Sequence, residues 1–409
     1  HMLPMINVNQ HGFVQGRSTT TNLMEFTQFV SSALDNRQQV DAVYTDLTKA
    51  FDRVHHCILL KKLKQYGFCD AMGDLMKSFM FSRYQFVECS GTKSDLFHAK
   101  SGVTQGSTLG PLLFLIYYND VVDNLNCRVF ILADDLKMAR IINSFDDCLI
   151  LQDSLDSLVS WCDLNRLELN KMKCKKITFS RKSEPISYNY NIKGRALTNC
   201  SEILDLGILI NSALTFIPHI ERVTSLALRS LGFIVRNTKL FTNVECIKRL
   251  FYTLVRSRLE YGCVIWSPYH QCHIYTLERV LRKFIKYLYF KMFGVYPVTH
   301  CDQQDLLQQT NEHSLESRRN LASLIFIQRL LHGSLGSTNL LSQINIVIPR
   351  MAGRNPHTFQ FIIPNTYHHF NSPLYRCFRL YNNLCNQNID IFFDSFKSKS
   401  MKNKLLLLQ

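Results

Sequence analysis

The sequence predicts an α+β fold built as two or three subdomains, on three observations. Short apolar runs with strand character alternate with amphipathic helical segments through the first half of the chain, and near residue 213 the pattern changes to long helical segments. At 409 residues the chain exceeds the size at which a single core keeps growing. Hydrophobic residues make up 46% and charged residues 19%, enough apolar material for a packed core and too few charges for a disordered chain.

Taken in order, QQVDAVYTDL (residues 38–47) gathers Val40, Ala42, Val43 and Tyr44 into a short strand that ends on Asp46. The period then changes. Leu47, Ala50, Phe51, Val54 and Ile58 recur at helical spacing, which predicts one amphipathic helix from Leu47 to a cap near Gly67. SGVTQGSTLGPLLFLIYYNDVVDNL (101–125) opens as a Gly/Ser/Thr loop and continues as a buried helix, with Pro111 in its first turn. CRVFILADDLKMARII (127–142) reads as two strands joined by a tight turn over 133–136. A helix follows through Leu149, Leu155, Leu158, Val159 and Cys162, then a strand at CKKITFS (174–180), then strands in YNYNIKGRALT and EILDLGILI. Beyond Phe216, three helical segments with basic faces lead into helical and loop-rich sequence. The expected division is 3–213, 214–330 and 331–409.

The formal net charge of +15 favours an anionic partner, with nucleic acid first among them. The 14 cysteines include no C-x-x-C pair, which argues against a zinc knuckle, and their apolar neighbours read as buried, reduced thiols of an intracellular protein, in the nucleus or the cytoplasm. No run of 18 apolar residues is present, so no membrane partner is expected, and no G-x-x-x-x-G-K-[ST] phosphate loop occurs.

The chemistry concentrates in VFILADDLKM. Burying an unpaired carboxylate costs several kcal/mol, roughly, so two adjacent aspartates in an apolar run imply a cation or access to water. Asp46 ends a strand before a helix, and Asp134, with Asp135 next to it, sits 88 residues further on, in a strand-turn-strand. Neighbouring strands of one sheet would bring Asp46 and Asp134 together. Such carboxylates can hold two divalent ions about 3.5–4 Å apart for in-line phosphoryl transfer. Side-chain alternation favours Asp134 for direct ligation, with Asp135 contributing from the turn. An aspartate pair also serves turn chemistry and solvation alone.

The order of segments resolves this. VYTDLTKAFDRVHHCILLKKL resembles motif A of non-LTR retrotransposon reverse transcriptases, SGVTQGSTLGPLLFLIYYND their motif B, and FILADD their motif C. QHGFVQGRSTTTNL is similar to the segment before motif A. LELNKMKCKKITFS resembles motif D, and LDLGILINSALTFIPHIERV resembles motif E with the start of the thumb. SPLYRCFRLYN and DIFFDSF resemble the C-terminal region of jockey-like insect elements.

This resemblance implies a right-hand polymerase palm, an antiparallel sheet with packed helices, plus partial fingers, a helical thumb and a C-terminal helical region. It implies RNA-directed DNA polymerisation on an RNA template from a DNA primer with dNTP, using Mg²⁺ or alternatively Mn²⁺. Asp46, Asp134 and Asp135 match the metal-binding carboxylates. Phe51 matches the steric gate against ribonucleotides, and equally sits on an apolar core face. Gln105 and Gly106 match the motif B loop that supports the nascent pair. Lys173 matches the lysine that donates a proton to pyrophosphate, in a stretch crowded by Lys171, Lys175 and Lys176. Arg17 and Ser18 belong to the GRST match, as template contacts or as turn and cap residues. Arg249, Arg256, Arg258, Arg279, Arg282, Lys283 and Lys286, interleaved with Tyr252, Tyr261, Phe284 and Tyr287, suit a duplex backbone. The pattern departs at Leu132, where the family carries Phe or Tyr, and at Asn211, where it often carries Asp. The sequence opens just before QHGF, so the family's earlier fingers motifs are expected to be missing. A derivative that binds nucleic acid or a protein without polymerising stands as the alternative.

Overall fold

The structure, a computed structural model, describes residues 5–297, 302–346, 359–360 and 363–386. The DIFFDSF and LLLLQ segments, Cys301 and the side chain of Cys385 lie outside the described residues. The chain forms two compact units, residues 1–22 with 37–201 and residues 23–36 with 202–409.

Helix α1 spans Thr19–Asp35. The sheet of the first unit comprises β1 (Gln39–Thr45), β2 (Arg128–Leu132), β3 (Asp135–Ile142), β4 (Lys175–Phe179) and the short β5 (Thr198–Asn199), in the order β5-β4-β1-β3-β2. β1 lies in the middle, antiparallel to β3 and to β4, and β5 pairs parallel with β4. All residues of β1 except Tyr44 are buried. A strand covered on both faces loses polar alternation, which is why VDAVY reads as an almost continuous apolar run. Helices α2 (His56–Gln65), α3 (Asp70–Met80), α4 (Leu109–Tyr118) and α5 (Phe145–Leu164) supply the rest of the first unit's core, where Val43, Phe114, Met138 and Leu155 are each fully buried. A capping box of Ser144 and Asp147 starts α5.

Three expectations are corrected. The helix expected from Leu47 begins only at His56. Leu47 bridges Leu169, the Thr48 amide donates to the Glu168 carbonyl at 2.8 Å, and Phe51–Arg53 form a single 3-10 turn. Pairing with the segment after α5 and the left-handed backbone of Lys49 (φ 50°) interrupt the helical periodicity, and Leu47, Ala50 and Val54 are buried without forming one helix. The turn expected over 133–136 is two residues, Ala133 and Asp134, and Asp135 already opens β3. The described cysteines are free, yet Cys57, Cys69, Cys89 and Cys272 are exposed rather than buried, since an apolar run in the sequence does not fix which of its residues face the core.

The second unit opens with a hairpin of Glu202–Asp205 and Ile208–Asn211. Helices α6 (Ile217–Asn237) and α7 (Val244–Phe251) follow, and α7 runs on through a π-helical turn at Tyr252–Arg256. Longer helices span Gln271–Phe293, Leu315–Leu331 and Pro373–Asn386. Phe251 and Phe284 stack at 3.7 Å in its core. Asp35, at the end of α1, accepts hydrogen bonds from the Asn365 and Thr366 amides at 3.0 and 2.8 Å, which fixes the C-terminal end of this early helix in the second unit.

Candidate functional site

Strand pairing delivers the carboxylates. Thr45 faces Leu136 across the β1–β3 register, so Asp46 leaves the end of β1 level with Asp135, beside the β2–β3 turn that carries Asp134. Asp46 and Asp134 are both half-buried. Burial raises the Asp134 carboxyl above the ordinary aspartate value of 3.8, and the neighbouring Asp46 charge raises it further, against a lowering hydrogen bond from its own backbone amide. Lys173 Nζ stands 3.4 Å from Asp46 Oδ2. The Asn170 amide donates to the Asp46 carbonyl at 2.7 Å, which brings the segment after α5 onto the end of β1.

Asp135 is exposed and forms the first rung of β3 opposite Leu132, so of the two aspartates expected in the turn only Asp134 occupies it. Among the described residues no three His, Cys, Asp or Glu side chains converge on a common metal position. Two hard carboxylate donors, half-open to solvent, nevertheless match Mg²⁺, which binds through one or two carboxylates and completes its shell with water and substrate phosphates. Asp46 and Asp134 are the two carboxylates here that could hold such an ion.

The motif B loop packs against the turn after β1. The Val103 amide donates to the Phe51 carbonyl at 2.9 Å, Ser101 Oγ to the Asp52 carbonyl at 2.8 Å, and Gln105 Nε2 to Asp52 Oδ1 at 3.0 Å. Gly106 has φ of +80° with open space where a Cβ would sit, so its backbone is free to be approached. Phe51 is half-buried. Its ring stacks on Phe114 at 4.3 Å and meets Phe13 edge-on at 6.2 Å, so it is anchored to the core while one side stays open.

Arg17 and Ser18 take turn and cap roles. Arg17 Nη1 donates to the carbonyls of Asn7, Val8 and Gln10 at 3.1, 2.9 and 2.7 Å. Ser18 exchanges hydrogen bonds with Thr21 at the start of α1. In the second unit part of the expected aromatic surface turns inward, while Tyr261 stays exposed and Tyr252 half-buried. Phe284 and Tyr287 are buried, Tyr287 Oη bonds Thr238, and Arg256 stacks 3.6 Å above the Tyr252 ring while facing Glu260 and Glu312. Arg249, Arg258, Arg279 and Lys283 remain exposed.

Several residues escaped the sequence reading. Asp52 holds Gln105, Asn170 holds the Asp46 backbone, and Gln10 bonds the Ala133 turn. All lie inside or beside the quoted motifs, but nothing in the sequence names their partners.

Comparison with known proteins identifies the family of the chain. A family model described as reverse transcriptase (RNA-dependent DNA polymerase) matches residues 1–235. The chain is 28% identical over 271 residues to a probable RNA-directed DNA polymerase from transposon BS of Drosophila melanogaster, covering 63% of this chain and 30% of that protein. It is 26% identical over 294 residues to the RNA-directed DNA polymerase from the mobile element jockey of the same organism, covering 68% of this chain and 31% of that one. The chain thus spans about a third of the length of these curated relatives. Among solved structures, apo telomerase from Candida Tropicalis aligns with 82% of this chain and 57% of its own, at 12% identity and a TM-score of 0.41. Reverse transcriptases as a family use divalent metal ions, and no helix of the described residues is long and apolar enough to cross a membrane. With more than half of its length matched by the family model, the chain belongs to the reverse transcriptase family, and its relatives are the polymerases of non-LTR elements of the jockey type.

Proposed function

We propose that this chain is the polymerase core of a non-LTR retrotransposon, extending a DNA primer on an RNA template inside the cell. The observation that carries the reading is the pairing of Asp46 and Asp134, two like charges held half-buried at the ends of adjacent strands. In the reaction the primer 3′-oxygen bonds to the α-phosphorus of a dNTP, and the bond from that phosphorus to pyrophosphate breaks. Divalent ions, when bound, would neutralise charge developing on the attacking and leaving oxygens. Asp46 and Asp134 would hold them, with Asp135 close by at the start of β3. Lys173, already within 3.4 Å of Asp46, is placed to give its proton to the leaving pyrophosphate. Phe51 fills the space a ribose 2′-hydroxyl would need. Gln105, positioned by Asp52, and the open Gly106 backbone support the nascent pair. Arg17 acts indirectly, by folding residues 7–10.

The net charge of +15 and the exposed Arg249, Arg258, Arg279 and Lys283 support a duplex held through its phosphates. The test is primer extension on poly(rA)/oligo(dT) with Mg²⁺ or Mn²⁺. Extension with stoichiometric pyrophosphate release is the expected result. Tight, salt-sensitive binding with no extension in either ion would replace this reading with that of a nucleic-acid-binding derivative.

A further inference from the structure

The turn that presents Asp134 is not self-supporting. Ala133 has φ of +58°, in the left-handed region that a β-carbon disfavours by roughly 1–2 kcal/mol. What holds it comes from 123 residues earlier in the chain. The Gln10 side chain is buried. Its Nε2 donates to the Ala133 carbonyl at 3.0 Å, and its Oε1 accepts from the Ala133 amide at 2.8 Å. The same Oε1 accepts from the Gly12 amide at 2.7 Å, which locks the carboxamide in orientation. The backbone around it continues the sheet past β2, with the His11 amide donating to the Ile131 carbonyl at 2.8 Å and the Ile131 amide to the Asn9 carbonyl at 3.1 Å. Gly12 closes the arrangement, since a β-carbon there would lie 2.3 Å from the Ala133 nitrogen. The turn is therefore gripped at both backbone polar groups of Ala133 by one side chain, and packed by a residue that has none.

We propose that Gln10 is a positioning residue for Asp134: its carboxamide sets the conformation of the Ala133–Asp134 turn and so the placing of the carboxylate opposite Asp46. The inference rests on the metal-site reading above. Gln10 does not reach the reacting atoms, and it acts only through Ala133. Gly12 is its steric counterpart, so the segment before α1 serves the sheet edge and the carboxylate site together.

The test compares wild type with Gln10→Ala and Gln10→Glu. The glutamate keeps the acceptor for the Ala133 and Gly12 amides and loses the donor to the Ala133 carbonyl, so it serves as the milder variant should alanine fail to fold by circular dichroism. Two readouts are taken: hydrogen exchange of the Ala133 amide without metal, and Mn²⁺ affinity by electron paramagnetic resonance, with Asp134→Asn as reference. In Gln10→Ala the expected result is faster Ala133 exchange, with Mn²⁺ affinity and kcat each about 10-fold lower and the dNTP KM within about twofold, the size of loss typical when the support of a metal ligand is removed; Gln10→Glu is expected to keep Ala133 exchange near wild type and to show a smaller loss of Mn²⁺ affinity. Unchanged Ala133 exchange in a folded Gln10→Ala overturns the clamp, and wild-type Mn²⁺ affinity in Gln10→Glu overturns the positioning role should alanine fail to fold. Faster exchange with wild-type Mn²⁺ affinity, while Asp134→Asn binds weakly, overturns the positioning role and leaves the metal site standing. Wild-type Mn²⁺ affinity in Asp134→Asn itself overturns the metal reading, and the positioning role with it.

Discussion

Strand β1 holds Asp41 and is followed directly by Asp46, five positions on, and the protein treats the two aspartates in opposite ways. Asp41 is fully buried and fully answered. Tyr190 Oη donates to it at 2.9 Å, Gln39 Nε2 at 3.0 Å, and the buried Lys176 ammonium stands 3.8 Å away. Asp46 is half-open, faces a second carboxylate, and has among the described residues a single cationic partner, the exposed and movable Lys173. A buried charge survives only when paired and hydrogen-bonded. Asp41 meets that condition within the fold. The Asp46–Asp134 pair meets it only in part, and its remaining valence points outward. One carboxylate is therefore structural, and the other pair is the one on which the proposed metal site rests.

Exchanging each aspartate for asparagine should break the two sites differently. Asp46→Asn or Asp134→Asn is expected to lower primer extension about 10³-fold, the rate equivalent of several kcal/mol of lost metal stabilisation, with nucleic-acid binding kept. Asp41→Asn is expected to cost about 2–3 kcal/mol in urea denaturation, because it leaves Lys176 buried without its counter-charge. Equal effects of the two kinds of variant on both readouts would erase the distinction. Phe51→Val, judged by the ratio of dNTP to rNTP incorporation, is expected to lower discrimination about 10–100-fold, and an unchanged ratio would leave Phe51 as core alone.

The pH dependence sharpens the contrast. Asp134 is raised above 3.8, so its protonation begins at higher pH than an ordinary aspartate, and Mn²⁺ affinity should fall correspondingly early as pH is lowered. The sign for stability is the opposite of the usual carboxylate case. A folded value above the unfolded one means that the metal-free protein loses stability as pH rises from 3.8 through the folded value. Asp134→Asn removes that loss, and in EDTA at neutral pH its Tm should lie about 1–2 °C above wild type. A lower Tm would show Asp134 to be a structural charge after all.

Much of this was legible in the sequence. β1 and the motif C hairpin follow from apolar runs bounded by aspartate, and the order of the motifs fixes which strands are neighbours. What was not legible is long-range. Nothing local says that Leu47 will bridge Leu169 rather than start a helix, since its spacing suits a helix better. Asp135 was misplaced because a two-residue turn and a four-residue turn differ only in pairing register, which the partner strand sets. Phe284 and Tyr287 looked like a stacking surface because basic and aromatic residues alternate there, yet a helix separates them onto opposite faces. Gln10 sits in a quoted motif, but a carboxamide has no sequence mark of the turn it grips.

The most direct test of the central claim is an anomalous-scattering map of crystals grown with Mn²⁺. The expected result is a Mn²⁺ peak bridging Asp46 and Asp134, with an oxygen of each at about 2.0–2.2 Å, and Lys173 swung away from Asp46. Saturating Mn²⁺ with no peak between these two carboxylates, and Lys173 still paired with Asp46, would contradict it.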